Sequence, residues 1–301
     1  MNGLQALLRP RSIAILGASA DLSKVNGRTL RYLLEKGYAG GIFPVNPKYE
    51  TIGSLKCYPD VAAIGAPVDL AVVAVPARSV AAVLRELGRH GVKAAVVFSS
   101  GFAETGEAGR ALENEVVAAA RESGLRLCGP NCLGLINAFD RVVATFGQFA
   151  EGDTPAGPVG FVTQSGAFGT AIAALARRRG LGLGYFINTG NEGDVDFVQA
   201  MRAVLDDPRI RVGAGYIEGL KNGQGLLELA DFAMRQAKPG RPTPAGGPAR
   251  TACSTVWCAA AASFAPATKS TCSTWSKCSP AAACRKARVS ASSPSPAAPA
   301  Y

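Results

Sequence analysis

Several short strings place polar atoms where a phosphate could be held. Gly17-Ala18-Ser19-Ala20-Asp21 follows the apolar run Ser12–Leu16 and precedes a helical pattern, so its backbone N–H groups are expected to face an anion at a helix start. Only Gly17 of the G-x-G-x-x-G pattern is present, and many such turns bind nothing beyond their own helix cap. The second apolar run ends in Val45-Asn46-Pro47-Lys48, where a nicotinamide-dinucleotide site would put Asp or Glu on the ribose hydroxyls. A lysine there disfavours NAD and suits a phosphorylated ribose, as in coenzyme A (CoA) or NADP; the alternative is a solvated loop charge.

Ser99-Ser100-Gly101-Phe102-Ala103-Glu104 and Gly129-Pro130-Asn131-Cys132-Leu133-Gly134 follow two later runs. Both are expected at carboxyl ends of parallel strands, the edge at which such sheets bind ligands. Thr163-Gln164-Ser165-Gly166-Ala167-Phe168-Gly169 joins a strand to a helix and could cradle a phosphate on its amides, or could simply be a Ser N-cap with permissive glycines. The single histidine, His90, ends a helix, where an imidazole caps or is solvated; no catalytic role is expected of it.

The elements that must position these loops alternate between short β-branched runs and longer helical patterns, the signature of a parallel sheet with helices on its faces. Strands are expected at Ser12–Leu16, Ile42–Val45, Leu70–Val75, Ala94–Phe98 and Arg126–Cys128, and helices at Gly27–Lys36, closed by Gly37, Arg78–Gly88 and Gly106–Ser123. A Gly- and Pro-containing linker, Glu151–Pro158, leads to strands at Val159–Thr163, Tyr185–Asn188 and Val212–Ile217, with helices at Phe168–Arg179, Val195–Leu205 and Gly223–Ala237. The α/β reading is thus a first domain over residues 1–150, part of a second doubly wound domain over 151–240, and an irregular tail over 241–301.

The tail holds seven Lys or Arg and no Asp or Glu, which leaves 25 basic against 22 acidic residues in the first 240. The net charge of +10 is therefore mostly the tail's, and no nucleic-acid footprint is expected in the body of the chain. No cysteine pair has the short spacing of a zinc site, so no metal is expected. Residues 1–11 lack the features of a signal peptide and no apolar run reaches the length of a membrane span. A cytoplasmic protein with reduced thiols follows.

Taken together, Ser12-Ile13-Ala14-Ile15-Leu16-Gly17-Ala18-Ser19, Val45-Asn46-Pro47-Lys48, Gly129-Pro130-Asn131-Cys132-Leu133-Gly134, Gly160-Phe161-Val162-Thr163-Gln164-Ser165-Gly166 and Gly190-Asn191-Glu192-Gly193-Asp194-Val195-Asp196 resemble the NDP-forming acyl-CoA synthetase family, relatives of the succinyl-CoA synthetase α-subunit. The likeness covers residues 1–240. It implies a Rossmann-like CoA-binding domain followed by an incomplete flavodoxin-like, succinyl-CoA synthetase-like domain. It also implies that Gly17, Ala18, Ser19 and Lys48 contact CoA, with Ser99, Ser100 and Gly101 lining the same groove. Asn131 and the Ser165-Gly166-Ala167 turn would face a phosphoryl group, and Glu218 would hydrogen-bond a phosphorylated histidine. The implied reaction joins an acid to CoA through an acyl phosphate and a phosphohistidine. ATP or ADP and Mg enter only through an ATP-grasp module, which is a β-subunit or a fused segment.

The family's Ser-His-Thr-Gly loop has no counterpart in this sequence, so the chain alone is expected to be inactive. Residues 241–301 contain no Leu, no Ile and only two Val, from which neither a helical face nor a strand is expected. A disordered low-complexity tail and a shift of reading frame near codon 240 both account for that composition. Three rival functions remain: a non-catalytic CoA-binding module, an NADP-dependent oxidoreductase, which lacks a Tyr-x-x-x-Lys pair in the second half, and a nucleic-acid binder, which rests wholly on the basic tail.

Overall fold

The computed structural model describes residues 3–236 and 257–260. A short helix α1 (Gly3–Leu8) precedes the first sheet, whose strands are β1 (Ser12–Leu16), β2 (Gly41–Val45), β5 (Leu70–Val73), β6 (Ala94–Val97) and β7 (Arg126–Cys128). Between them lie α2 (Val25–Glu35), the small hairpin β3 (Thr51–Ile52) and β4 (Leu55–Lys56), α3 (Ala77–Arg89) and α4 (Glu107–Glu122). The strand order is β2-β1-β5-β6-β7 and every pairing is parallel.

The alternation of side chains along a strand explains why these runs are apolar throughout. Ile13, Ile15, Leu70, Val72, Ala94 and Val96 enter one core cluster, whereas Ala14, Leu16, Ala71, Val73, Ala95 and Val97 enter another. Both faces of the sheet are covered, and a polar residue in the middle of β1, β5 or β6 would have no solvated side to occupy. Helix α2 ends as its sequence predicts: Gly37 takes φ +68, and the Tyr38 N–H reaches back to the Leu33 carbonyl at 2.9 Å.

The second sheet contains β8 (Gly134–Asn137), β9 (Val142–Thr145), β10 (Val159–Thr163), β11 (Leu183–Asn188), β12 (Val212–Ile217) and β13 (Trp257–Ala260), in the order β13-β12-β10-β11-β8-β9. Helices α5 (Gly166–Arg178), α6 (Phe197–Leu205) and α7 (Gly223–Gln236) connect its parallel strands. The β8–β9 hairpin, unforeseen in the sequence, runs antiparallel to β11 and makes the sheet mixed. The first core cluster continues into this sheet through Val162, Tyr185, Ile187, Phe197 and Met201.

One expectation about the tail needs correction: a strand does form after residue 240. β13 pairs in parallel with β12, from Ala214 opposite Trp257 to Ile217 opposite Ala260. The physical reason is that an open sheet edge offers a row of N–H and C=O groups, and main-chain pairing does not require the aliphatic alternation that this segment lacks. The remaining tail residues, with the frame-shift reading, lie outside the described residues. Among the described residues no helix is long and apolar enough to cross a membrane.

Candidate functional site

The order β2-β1-β5 means that the chain leaves β1 in opposite directions for its two neighbours, opening a crevice beyond the carboxyl ends of β1 and β5. Gly17 forms its floor with φ +79, and a Cβ there would sit 2.7 Å from the Ala74 carbonyl oxygen. No other residue fits both that conformation and that approach.

The turn after β1 differs from its sequence reading in one respect. The N–H groups of Gly17 and Ala18 both donate to the Val45 carbonyl, at 2.9 and 3.3 Å, and the Ser19 N–H donates to Asn26 O at 3.4 Å. Helix α2 starts only at Val25. These three amides are therefore spent on the protein, because the last carbonyl of the neighbouring β2 and the first turn of α2 reach them first. The turn is fixed further by Asn26 Nδ2 on Gly17 O at 2.6 Å and Asn46 Nδ2 on Ala18 O at 2.7 Å. What it offers a ligand is a rigid shape beside the α2 N-terminus. Lys48 is exposed in the loop after β2, with its N–H on Asn46 Oδ1 at 3.0 Å.

After β6, the Ser99 hydroxyl donates to Val75 O at 2.5 Å and the Gly101 N–H donates to Glu104 Oε1 at 2.6 Å. Ser100 between them is exposed. Glu104 Oε2 accepts from Asn191 Nδ2 at 2.8 Å. Burial alone would raise the Glu104 pKa, but the Asn191 amide and the N–H groups of Phe102 and Gly101 hold it below the usual carboxylate value.

The carboxyl-edge loops of both sheets meet around one cavity of about 420 Å³. Ser100, Asn131, Ser165, Gly166 and Glu218 all line it, beside Phe98, Glu104, Cys132, Leu133, Phe146, Gln164, Asn188, Gly190 and Asn191. Five of the residues named from sequence are thus brought together. Ala167, one residue further into α5, is exposed and is not among the lining residues. Gly17, Ala18, Ser19, Lys48, Ser99 and Gly101 share the carboxyl edge of the first sheet but do not line the cavity.

Three amide side chains that the sequence reading did not single out assemble this wall. Buried Asn188 accepts the Leu133 N–H at 2.7 Å and donates to Thr163 O and Gln164 O, each at 3.0 Å. Gln164 accepts the N–H groups of Glu218 at 2.7 Å and Gly219 at 3.0 Å and donates to Gly219 O at 2.8 Å. Asn191 accepts from Asn131 Nδ2 at 3.1 Å and donates to Glu113 Oε2 at 2.7 Å. Gly190, at φ +57, allows the close approach: a Cβ there would lie 2.4 Å from Pro130 O.

Ser165 is the N-cap of α5, its Oγ accepting the Phe168 N–H at a long 3.5 Å, so the capping alternative is realised in a residue that also lines the cavity. Among the described residues, the cavity lining contains the carboxylates of Glu104 and Glu218 and no Lys, Arg or His. A phosphoryl group in it would be met by the N-terminal end of α5, whose amide dipoles favour an anion. Lys221, nearby, donates to the Asn191 and Glu192 carbonyls at 3.0 and 2.8 Å. Burial raises the pKa of Glu192, against the opposing pull of Gln164, Thr189 and Lys221.

Residues 11–138 match the CoA binding domain family and residues 156–239 match the succinyl-CoA ligase-like flavodoxin domain family. The α subunit of ADP-forming acetate–CoA ligase I from Pyrococcus furiosus is 38% identical over 231 residues, which is 75% of this chain and 49% of that protein. ADP-forming acetate–CoA ligase I from Archaeoglobus fulgidus is 36% identical over 233 residues, 77% of this chain and 33% of that protein. Among solved structures, the apo dinucleotide-forming acetyl-coenzyme A synthetase 1 of Ca. Korarchaeum cryptofilum superposes with a TM-score of 0.72 at 38% identity, covering 78% of this chain and 50% of that one. The chain spans about half the length, or less, of these relatives. With both domains matched in the order the sequence suggested, the chain carries a CoA-binding domain followed by a succinyl-CoA ligase-like flavodoxin domain, and it is similar over these two domains to NDP-forming acyl-CoA synthetases.

Proposed function

We propose that this chain is the CoA-binding portion of an NDP-forming acyl-CoA ligase, which converts an acid, CoA and a nucleoside triphosphate into acyl-CoA, the nucleoside diphosphate and phosphate. CoA lies across the β1–β5 crevice, with its nucleotide at the Gly17-Ala18-Ser19 turn and its ribose phosphate near Lys48. The pantetheine arm passes Ser99, Ser100 and Gly101 into the cavity. There Asn131 and the Ser165-Gly166-Ala167 end of α5 hold the phosphoryl group of an acyl phosphate. The CoA sulfur attacks the acyl carbon, the bond from that carbon to the phosphate oxygen breaks, and phosphate leaves. Fixed amides and a helix end stabilise the charge on the departing phosphate without having to reorganise.

The observation that carries this reading is the convergence of Ser100, Asn131, Ser165, Gly166 and Glu218 on one cavity. In this reading Glu218, on the exposed rim, hydrogen-bonds a phosphohistidine. His90 does not supply it: it follows α3, whose start is at the carboxyl end of β5, so it lies at the amino edge of the first sheet, away from the cavity. The histidine and the nucleotide therefore come from an ATP-grasp partner or further family sequence, and the 301-residue chain alone makes no acyl-CoA. Assaying thioester formation from acetate, CoA and ATP tests this. No turnover is expected from the chain alone; turnover by the purified chain without an added protein would refute it.

A further inference from the structure

Cys128 and Cys132 stand at the two ends of the turn that carries Asn131, one closing β7 and the other in the cavity wall. Both are buried and neither is in a disulfide. Cys128 Sγ donates to the Asn188 carbonyl at 3.4 Å and Cys132 Sγ to the Val97 carbonyl at 3.4 Å. Cys132 Sγ also lies 3.7 Å from the Cys128 carbonyl oxygen, so the two residues touch across the turn. A pair already in contact across a tight turn needs little backbone movement to join, which is the usual obstacle to a new disulfide. Cys57, a further free cysteine, has its Sγ on Asn46 O at 3.5 Å in the loop after β2.

We propose that Cys128 and Cys132 form a redox-active dithiol at the wall of the cavity, closed by a small two-electron oxidant that enters through the cavity. Cys132, which faces the cavity, reacts first. With a low-molecular-weight disulfide RSSR, its thiolate attacks one sulfur to give Cys132–S–S–R and releases RS⁻. The Cys128 thiolate then attacks Cys132 Sγ, forms the Cys128–Cys132 bond and expels a second RS⁻. Two cysteine thiols lose two electrons and two protons, and one disulfide becomes two thiols. Hydrogen peroxide gives the same product through a sulfenic acid on Cys132, with loss of two waters. The neighbouring Cys132 and burial push the Cys128 thiol well up, which keeps its attacking thiolate scarce. Closure withdraws the S–H donors from Val97 O and Asn188 O. It thereby acts on the backbone of the residue whose side chain ties Leu133 to Thr163 and Gln164. A disulfide of this kind in a reducing compartment is transient and sensing, not structural.

Trypsin releases residues 127–141 as one peptide holding these two cysteines and no other. The folded chain is treated in separate arms with hydrogen peroxide and with CoA disulfide, then denatured, alkylated and digested. The expected product is an unalkylated peptide two hydrogens lighter than the dithiol, restored by dithiothreitol. In Cys128→Ser the CoA disulfide arm should stop at a CoA adduct on Cys132, and Cys132→Ser should leave Cys128 unmodified. Delivery by CoA disulfide rests on the CoA-binding reading, whereas the peroxide arm does not. If peroxide closes the bond and CoA disulfide does not, the dithiol stands and the CoA reading is what fails. If both arms return the peptide with two alkyl groups, or if CoA appears on Cys128 in Cys132→Ser, the dithiol assignment is overturned.

Discussion

Gln164 Oε1 accepts the backbone N–H of Glu218 at 2.7 Å, joining the loops that leave two adjacent parallel strands, β10 and β12. This one side chain, with its further bonds to Gly219, sets where Glu218 can stand on the rim. Gln164→Leu keeps the bulk and removes all three bonds. The expected result is a loss of about 1–3 kcal/mol in unfolding free energy and faster amide exchange at Glu218 and Gly219. Exchange no faster than in the parent chain would show that Gln164 does not hold the loop.

Gly17→Ala should be costly. Its Cβ would be 2.7 Å from Ala74 O at a positive φ, so the turn after β1 must move, with a loss of roughly 1–3 kcal/mol. Gly53→Ala is the control, since its φ is +61 but nothing lies within 4 Å. Its loss should be the smaller of the two, and CoA affinity should fall only in Gly17→Ala. Thermal melts and a CoA titration of both variants check this.

Asp207 provides a pH dependence. Its buried carboxylate accepts from the Tyr185 hydroxyl at 2.8 Å and from Arg209 Nη2 at 2.7 Å, and it is paired with Arg9 from the segment after α1. Burial acts to raise its pKa, yet the Arg209 and Tyr185 hydrogen bonds hold it well below the carboxylate range. Burial also pushes the Tyr185 phenol up to about 12. A depressed folded-state pKa means that the stabilisation is full above the unfolded value of about 4 and is lost as pH falls below it. Asp207→Asn should therefore cost about 3–5 kcal/mol at pH 7, with a smaller gap to the parent chain at pH 3. Denaturant melts at the two pH values measure both numbers; an equal gap at both would contradict the assignment.

Lys48→Ala separates a ribose-phosphate contact from a solvated loop charge. Affinity for CoA should fall roughly 5- to 10-fold, about 1–1.4 kcal/mol, while affinity for dephospho-CoA stays unchanged. A parallel fall for both ligands would mean that Lys48 does not meet that phosphate.

How much of this was legible in the sequence depended on whether the cause was local. The parallel strands could be read because Ile13, Ile15, Val72 and Val96 lie in unbroken apolar runs, as burial on both faces requires. The β8–β9 hairpin escaped notice because four-residue strands around Asp140 and Arg141 look like loop. β13 escaped because its pairing is made by the backbone. For the site, strand ends pointed to the loops that hold Ser100, Asn131 and Ser165, since a loop at the carboxyl edge is a positional inference, whereas Glu218 was named only through the family resemblance. Asn188 and Gln164 act through partners 24 to 55 residues away, and no local pattern reveals such bonds. The amides of Gly17 and Ala18 were misread for the same reason, because the carbonyl that occupies them belongs to β2.

The central claim is that the crevice beyond β1 and β5 is a CoA site, and calorimetric titration of the 301-residue chain with CoA, and separately with NADPH, tests it most directly. The account predicts saturable one-to-one heat with CoA and none with NADPH at the same concentration. Saturation by NADPH, or no heat with CoA from a folded chain, would contradict it.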